Sequence, residues 1–203
     1  MSTAARTRMP ADERRASIIA AATSVFAASG YAATTTARLA GEAAVAETIL
    51  YRHFGSKSGL YIACIDSVWN EVRALLEQAF ATEPDASTHW AAMGRTFLDM
   101  AQADDPRARL WASALTETTG DAQIDSYLAD LMREVHAYVT DVLERSQQAG
   151  GVGTGRNTRA EAWIVISLGL LGTVAARLGP VVRDDMQEVL ASHRQWITQP
   201  RGH

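Results

Sequence analysis

The stretch TILYRHFGSKSGLY, residues Thr48–Tyr61, gathers two Tyr, one Phe, one His, one Arg and the chain's single Lys within fourteen positions. It divides into a short helical segment up to Phe54, a break at Gly-Ser, and a longer helical pattern that begins at Lys57. Ser56 stands where the N-cap of that longer helix belongs. Exposed N–H groups at a helix start attract anions, so this lysine and the helix end are suited to hold one phosphate jointly.

The composition is that of a globular protein. The chain has 203 residues, 47% hydrophobic and 21% charged, enough for one or two domains. A single cysteine, Cys64, excludes an intramolecular disulfide and a cysteine-based zinc site, and it fits a reducing cytoplasm, where we expect the protein to act. No secretory signal is predicted. Polar residues interrupt the apolar stretch AWIVISLGLLGTVAA, so we expect a buried or interface helix and no membrane partner.

Charge is distributed unevenly along the chain. Residues 1–60 hold seven Lys and Arg against four Asp and Glu, a balance of +3, whereas residues 61–203 hold twelve against nineteen, a balance of −7. The net charge of −4 therefore combines a basic head with an acidic body. A basic head is suited to phosphate and an acidic body is not, although a balance of +3 also arises by chance.

Hydrophobic periodicity predicts an all-α fold with about nine helices and no strand. Gly30 is expected to end the first helix, and Thr34 or Thr35 to cap the second. Four later helix starts are predicted from their caps: Ser56, Ser87, Asp105 with Pro106, and a capping box of Thr158 and Glu161. The Gly-rich stretch AGGVGTGRN lacks a preceding strand and a following Gly-Lys, so it predicts a flexible connection rather than a phosphate loop.

Two short helices joined by a tight turn form a helix-turn-helix, whose second helix enters the DNA major groove. The pattern before Gly55 predicts this arrangement. The residues spaced to pack the two helices together are Leu39, Val45 and Leu50. The residues on the opposite face, available to DNA, are Glu47, Thr48 and Tyr51.

At these residues the chain resembles the tetracycline-repressor-like (TetR) family of bacterial one-component regulators. The resemblance runs from Ser17 to about Ile65: Gly-Tyr, a Thr cluster, Leu-Ala, an aliphatic-Tyr-x-His-Phe block, then Ser-Lys at the next helix. It implies a homodimer, a double-stranded DNA operator, an all-helical C-terminal ligand domain, and repression released by a small-molecule inducer. The residues that it places in DNA contact are Thr36, Glu47, Thr48, Tyr51, His53 and Lys57.

The turn departs from the family pattern. Where the family usually has Gly, Val and Ser, this chain has Ala44, Val45 and Ala46. Ala44 is therefore expected to adopt the conformation that Gly would, at a modest cost, and Ala46 cannot cap the following helix. Glu47 places a carboxylate where a basic or neutral residue is common. It either accepts a hydrogen bond from cytosine N4 or complements the helix N-terminus.

Some of these residues have a plainer interpretation. Taken alone, Tyr51 fits a core tyrosine and His53 a surface histidine, and it is the surrounding motif that favours DNA contact. A flexible arm is predicted for residues 1–10. Its Arg6 and Arg8 are suited to a minor groove, or the arm is a solubilising tail.

A helix-turn-helix domain of residues 11–56 is predicted to precede a ligand-binding and dimerisation domain of residues 57–203. Aromatic and flexible side chains in the second domain would surround a cavity, although such a stripe also fits an ordinary core. The candidates are Trp69, Trp90, Met93, Phe97, Met100, Trp111, Leu115, Tyr127 and Leu131. They favour a mainly apolar or aromatic ligand, with Asp99 or Glu117 available if the ligand is cationic.

Helices near residues 158–178 and 181–197 are expected to form a four-helix interface across a two-fold axis. They combine apolar surface with small residues that permit close approach, and the alternative is an ordinary buried helix. The candidates are Ile164, Leu168, Gly169, Leu171, Gly172, Met186 and Val189.

Two rival functions come from other classes. A helical-bundle enzyme or metal carrier would use Glu-x-x-His pairs, and no glutamate in this chain has a histidine three residues later. An architectural DNA-binding factor without a ligand would need less than the roughly 140 residues of helix that follow the helix-turn-helix. We therefore predict a ligand-responsive transcriptional repressor, with no enzymatic activity, no cofactor and no metal site.

Overall fold

The computed structural model describes residues 10–102 and 105–200. Within these ranges the chain forms nine α-helices, one 3-10 helix and no strand, which confirms the predicted all-α class. The α-helices are α1 Ala11–Ser29, α2 Thr36–Glu42, α3 Glu47–Phe54, α4 Lys57–Thr82, α5 His89–Gln102, α6 Pro106–Thr116, α7 Ala122–Gln148, α8 Thr158–Leu178 and α9 Pro180–Thr198; the 3-10 helix is Ala86–Thr88. The predicted arm, with Arg6 and Arg8, lies outside the described residues except for Pro10.

Most helix boundaries of the N-terminal half follow the predicted signals. Gly30 ends α1 with φ 72°, a conformation that glycine adopts without strain. The Thr35 side chain caps α2 by accepting a hydrogen bond from the backbone N–H of Arg38 at 3.3 Å. Ser56 caps α4 in the same way, accepting from the N–H of Gly59 at 2.9 Å. These caps fix where α2 and α4 begin.

The turn between α2 and α3 depends on a strained alanine. Ala44 has φ 52°, the positive φ predicted from its place in the turn. Its N–H donates to the carbonyl of Gly41 at 3.1 Å, and the N–H of Val45 donates to the carbonyl of Ala40 at 3.0 Å. Ala46 makes no side-chain capping bond, also as predicted. Left-handed backbone is unfavourable for an L-residue, so these turn contacts must hold Ala44 against its own preference.

The helix-turn-helix rests on the C-terminal body through α1, which packs against both α4 and α6. An aromatic cluster fills this junction. The ring centroids of Phe26 and Tyr61 lie 4.8 Å apart in an edge-to-face arrangement, and those of Tyr31 and Tyr61 lie 4.9 Å apart. A single apolar core crosses the predicted boundary at residue 56, and the division into two domains stays a prediction.

Helix α8 is the centre of the body, where it packs against α5, α7 and α9. Among the described residues it alone is long and apolar enough to cross a membrane by length and composition, with a mean hydropathy of 1.5. Its first turn nevertheless carries Glu161, which is buried and lies 3.5 Å from the guanidinium of Arg156. An ion pair buried in protein contacts is expected of a helix inside a folded body.

Two predicted caps are wrong. Ser87 lies inside the 3-10 helix, where its N–H donates to the Asp85 side chain at 2.9 Å, so Ser87 does not cap α5. Helix α8 is capped by Asn157, whose side chain accepts from the N–H of Ala160 at 3.2 Å. Glu161 turns inward to Arg156 instead of back to the helix start. Asn157 is an equally good cap, and Glu161 is held by contacts with Arg156 and Trp196.

The Gly-rich segment between α7 and α8 is packed, so the prediction of a flexible connection is wrong. A Cβ atom on Gly151 would lie 1.8 Å from the carbonyl oxygen of Ser87, and one on Gly153 would lie 2.1 Å from the carbonyl oxygen of Gln199. The Arg156 Nε also donates to the Gln199 carbonyl at 3.1 Å. Glycine is required here because backbone meets backbone.

Candidate DNA-binding surface and ligand cavity

Helix α3 turns one face outward. Leu50 is buried against α2 and holds the helix in place. Glu47, Thr48 and Tyr51 are exposed, and Tyr51 leaves 49% of its surface accessible, which excludes the core interpretation of this tyrosine. Arg52 is also exposed, and because it follows Thr48 by four residues it lies on the same face of α3. Arg52 is absent from the predicted contacts, although that spacing was visible in the sequence.

Thr36 and Glu47 are joined across the helix-turn-helix. The Thr36 Oγ1 donates to the Glu47 Oε2 at 2.7 Å, linking the first residue of α2 to the first residue of α3. The carboxylate also lies in the first turn of α3, where the helix dipole favours negative charge. Glu47 therefore has a structural partner that neither sequence interpretation named, and its second oxygen retains its capacity to accept.

His53 lies at the edge of this surface. The side chain is half-buried, and its ring centroid lies 6.0 Å from that of Phe54. The guanidinium of Arg15, from α1, lies 5.2 Å over the Phe54 ring on the same part of the domain. An imidazole and a guanidinium thus flank the end of α3.

Lys57 has two internal partners. Its ammonium donates to the carbonyl oxygens of Tyr31 at 3.0 Å and Thr34 at 3.1 Å, and it lies 4.1 Å from the centroid of the Tyr31 ring. The lysine thereby fastens the first turn of α4 to the loop between α1 and α2. An ammonium has three N–H donors, so one remains after these two bonds.

A small apolar space, the inner chamber, lies between α4, α5, α6, α7 and α8. Its volume is about 70 Å³. Trp69 and Trp111 stand together in its wall, with ring centroids 6.3 Å apart. The Trp69 Nε1 donates to the Glu134 Oε1 at 2.8 Å on the side away from the apolar wall. The remaining lining is Val68, Val72, Phe97, Met100, Ala108, Val135, Ile166, Gly169, Leu170 and Thr173.

A second space, the outer cavity, lies between α5, α8 and α9 and measures about 750 Å³. It shares Phe97 and Gly169 with the inner chamber. Its ionisable lining consists of Arg95, His193 and Arg194. Burial lowers the pKa of His193, and Glu161 opposes that shift with a smaller effect.

The predicted ligand residues separate into four groups. The inner chamber is lined by Trp69, Phe97, Met100 and Trp111, and the outer cavity by Trp90 and again Phe97. Two others, Met93 and Leu131, are fully packed in the core. Leu115 and Tyr127 line neither space. The Tyr127 hydroxyl donates instead to Asp66 at 3.3 Å. The residues missed by the prediction include Val68 and Ala108, which lie on the faces that carry Trp69 and Trp111. Asp99 and Glu117 line neither space.

Helix α8 has a largely exposed apolar face, here called the outer face, on which only Trp163 is recorded in a ring contact within the described residues, stacked on His136 of α7. Its members are Trp163, Ile164, Leu171, Val174 and Leu178, of which all but Leu171 are more than 40% exposed. The predicted interface residues Ile164 and Leu171 lie on it. Leu168, Gly169 and Gly172 lie on another side of the helix and line the outer cavity. On α9, Met186 is buried within the protomer and Val189 is half-buried.

The single cysteine is protected by the core. Cys64 is buried, and burial raises the pKa of its thiol to about 12, so a thiolate is disfavoured. Its Sγ contacts the carbonyl of Ile19 at 3.7 Å. Across residues 10–102 and 105–200, no three His, Cys, Asp or Glu side chains are grouped as a metal ion would require.

The helix-turn-helix segment matches a known family. Residues 18–64 fit the family model described as bacterial regulatory proteins, TetR family. The chain is also 29% identical over 143 residues to the HTH-type transcriptional activator FasR of Mycolicibacterium smegmatis, an alignment that covers 64% of this chain and 65% of that protein. The chain thus spans slightly less than two thirds of the length of this relative.

Solved structures share the whole fold. A TetR-family transcriptional regulator from Rhodococcus sp. superimposes with a TM-score of 0.74 at 18% identity, covering 89% of this chain and 96% of that chain. The regulator FadR from Bacillus subtilis, solved in complex with stearoyl-CoA, gives a TM-score of 0.72 at 17% identity, covering 87% of this chain and 95% of that chain. At these identities the likeness establishes the fold, and the role of each residue rests on its own geometry.

Proposed function

We propose that the chain is a transcriptional regulator of the TetR family, which binds a pseudo-palindromic operator as a homodimer and releases it when a small, mainly apolar molecule enters the body. The observation that carries this proposal is the double role of α4. Its first turn fastens the helix-turn-helix through Lys57, and its middle lines the inner chamber with Val68, Trp69 and Val72. No catalytic step is part of this function, and its place is the cytoplasm.

In the proposed complex α3 lies in the major groove. Thr48 and Tyr51, both exposed, meet base edges or phosphates, and Glu47, held by Thr36, meets a cytosine N4 at the edge of the site. Arg52 adds a cation one turn after Thr48. These assignments follow from exposure on one helix face.

Lys57 and His53 are proposed to hold the DNA backbone. The third N–H of the lysine is available to a phosphate oxygen at the start of α4, where the helix dipole also favours an anion. Contact with phosphate would therefore tighten a link that already exists between α4 and the loop before α2. DNA binding and the position of α4 are coupled in this way.

The ligand acts through the same helix. A molecule that expands the inner chamber must displace its walls, and α4 and α6 are two of them. Both helices pack against α1 of the helix-turn-helix, so their displacement changes the orientation of α3. An effector shifts this equilibrium only if it binds the DNA-free arrangement more tightly than the DNA-bound one.

We propose that the dimer forms through the outer face of α8 together with α9. Exposed apolar side chains in one stripe are the usual signature of a permanent contact. Val174→Arg should give monomers in analytical ultracentrifugation and weaken operator binding, because a two-fold operator needs both subunits. Leu75→Arg, on an exposed apolar residue of α4, is the matched control. A folded Val174→Arg protein that still sediments as a dimer would move the interface elsewhere.

Operator binding is tested by selecting genomic fragments on the purified protein and measuring affinity by fluorescence anisotropy at several salt concentrations. Lys57→Gln should weaken binding to all sequences alike and reduce the salt slope by about one phosphate per subunit. Arg133→Gln, at an exposed α7 residue that pairs with Asp130, removes the same charge as a control. Thr48→Ala should instead change base preference. A Lys57→Gln protein with altered preference and an unchanged salt slope would contradict the assigned roles.

The direction of regulation is a separate measurement. We propose repression, in which the bound dimer blocks transcription and the effector restores it. FasR, the relative of 29% identity, is described as an activator. A promoter-reporter fusion with and without the regulator distinguishes the two outcomes, since repression predicts higher expression after deletion and activation predicts lower expression.

A further inference from the structure

The inner chamber and the outer cavity meet at two residues, Phe97 on α5 and Gly169 on α8. Small-molecule pockets usually measure roughly 300–1,000 Å³. The chamber, at about 70 Å³, has room for only a few heavy atoms, whereas the outer cavity, at about 750 Å³, lies within that range. A ligand that uses both spaces therefore has most of its volume outside and a narrow end inside.

The two spaces differ in charge. None of the residues that line the inner chamber is ionisable. Among the described residues, the outer cavity is lined by the cationic or titratable side chains Arg95, His193 and Arg194 and by no Asp or Glu. This wall stands out in a body, residues 61–203, whose formal charge is −7. Apolar surface at one end and cations at the other suit a molecule with an apolar chain and an anionic head.

Arg194 is the best placed cation. Within the described ranges, no carboxylate oxygen lies within 4.0 Å of its guanidinium. Arg95 has a partner in Glu83, but the two are 3.9 Å apart and about half exposed, so this pair contributes little and can be exchanged for another anion. Two guanidiniums on the same cavity are suited to a carboxylate or a phosphate.

A polar atom at the same wall lacks a partner. His193 is 13% exposed, and its Nε2 makes no hydrogen bond within the described residues. It lies 3.9 Å from the Oε2 of Glu161, which is also without a hydrogen bond, while Arg156 lies 3.5 Å from the other oxygen of that carboxylate and offsets its charge. The Nε2 atom is itself sealed from solvent and faces Glu161, so it belongs to the buried cluster behind the cavity wall and leaves the arginines as the groups that meet a ligand.

Phe97 and Gly169 are common to the two linings, so a ligand that occupies both spaces crosses at these residues, here called the passage. A Cβ atom on Gly169 would lie 3.9 Å from the Phe97 Cβ, an ordinary contact distance, so Phe97 packs against Gly169, an alanine fits there, and a longer side chain would press on the Phe97 ring. Phe97 is half-buried and lines both spaces, so rotation of its ring would change the width of the passage between them. An unbranched chain is the shape that such a passage admits.

We infer that the effector is an amphiphilic anion, whose unbranched apolar chain passes Phe97 and Gly169 into the inner chamber while its carboxylate or phosphate head is held by Arg194 and Arg95 in the outer cavity. The inference rests on the proposed function, because it assumes that the body binds an effector. Asp99 and Glu117 would suit a cationic ligand, but neither lines the inner chamber or the outer cavity, so an anionic effector is inferred instead.

The head group is tested by titrating the dimer with dodecanoate, dodecyl phosphate and 1-dodecanol below their aggregation concentrations. Tryptophan emission reports binding, since Trp69 and Trp111 line the chamber. The better of the two anions should bind at least about tenfold more tightly than the alcohol, the factor that one charge-assisted hydrogen bond supplies. Whether dodecanoate or dodecyl phosphate binds more tightly shows whether the site prefers a carboxylate or a phosphate head.

Arg194→Gln should remove about tenfold of the anion affinity and leave the alcohol unchanged, while Arg133→Gln, the charge-matched control, should change neither. Equal binding of anions and alcohol, or no effect of Arg194→Gln, would overturn the head-group site.

The passage is tested by chain length. Gly169→Leu should weaken dodecanoate at least about tenfold and leave hexanoate unchanged, because only the longer chain enters the chamber. Ala137→Leu, on an exposed position of α7, adds the same volume as a control. Phe97→Ala, which removes bulk and carries no risk of a clash, should raise the affinity for hexadecanoate relative to dodecanoate. An unchanged chain-length profile in both passage variants would overturn the passage.

Operator binding separates this inference from the proposed function. If anions bind as described and operator affinity is unchanged, the site stands and ligand-controlled release is wrong. If compounds of another class release the operator and none of the amphiphiles binds, ligand-controlled release stands and the amphiphile site is wrong.

Discussion

Ala44→Gly should stabilise the protein, because it replaces the strained residue of the recognition turn. An L-residue in the left-handed region costs about 1–2 kcal/mol, and Ala44 has φ 52°. Glycine adopts this conformation freely but loses about 0.5–1 kcal/mol more than alanine in chain entropy on folding. The difference leaves a net stabilisation of about 0.5–1 kcal/mol. The side chain of Ala44 is exposed, so no packing is lost.

The measurement is urea unfolding followed by circular dichroism at one fixed protein concentration, since a dimer's stability depends on concentration. A gain of 1 kcal/mol corresponds to a melting temperature about 2–4 °C higher in a chain of this size. Ala20→Gly is the matched control. Ala20 is exposed in the middle of α1, so the same substitution there should destabilise by about 1 kcal/mol.

Opposite signs for these two variants are the result expected. If Ala44→Gly were neutral or destabilising while Ala20→Gly behaved normally, the turn would not hold a left-handed residue at position 44. The hydrogen bonds from Ala44 to Gly41 and from Val45 to Ala40 would then need another explanation.

Three further outcomes are expected from the buried polar groups. Arg156→Leu should lower the free energy of unfolding by about 3–5 kcal/mol, because it leaves Glu161 buried without a counter-charge. The double variant Arg156→Leu with Glu161→Leu should lose less stability. Equal losses for the two variants in urea unfolding would contradict this reasoning. Burial lowers the pKa of His193 from its ordinary 6.5, so the neutral ring stabilises the fold above pH 6.5 and this contribution is lost as pH falls through the lowered pKa. His193→Gln should therefore flatten the dependence of stability on pH below 6.5, measured by urea unfolding. An unchanged slope would show that other groups cause the pH dependence. Cys64, whose thiol pKa is raised to about 12, should react with a thiol reagent near pH 8 only as fast as the protein opens, and rapid labelling of the native protein would show that the residue is accessible.

Local chemistry made the helices and the recognition turn predictable from the sequence. Asp105 and Pro106 begin α6 as expected, with the Asp105 side chain accepting from the N–H of Arg107 at 2.8 Å. The conformation of Ala44 followed from the needs of a tight turn. Such features depend on residues within four positions of one another, and the sequence displays that spacing directly.

The arrangement of the body was less predictable, because apolar periodicity does not say which partner each face of a helix meets. Gly169 illustrates this. Its small size fits close approach of two helices, which suggested a dimer contact, yet it lies opposite Phe97 at the passage between two cavities. Glu161 shows the same limit, since its spacing from Thr158 suggested a cap and its partner is Arg156. Both outcomes depend on distant segments.

The packed segment between α7 and α8 bears on the order in which the chain can fold during synthesis. Arg156 finds its carbonyl partners at Trp196 and Gln199, and its guanidinium lies 3.9 Å over the Trp196 ring. Until α9 has left the ribosome, Arg156 and Glu161 lack the contacts with Trp196 and Gln199 that help to bury them. The buried start of α8 can therefore form only late in synthesis, after the last helix is complete, although the helix-turn-helix leaves the ribosome first.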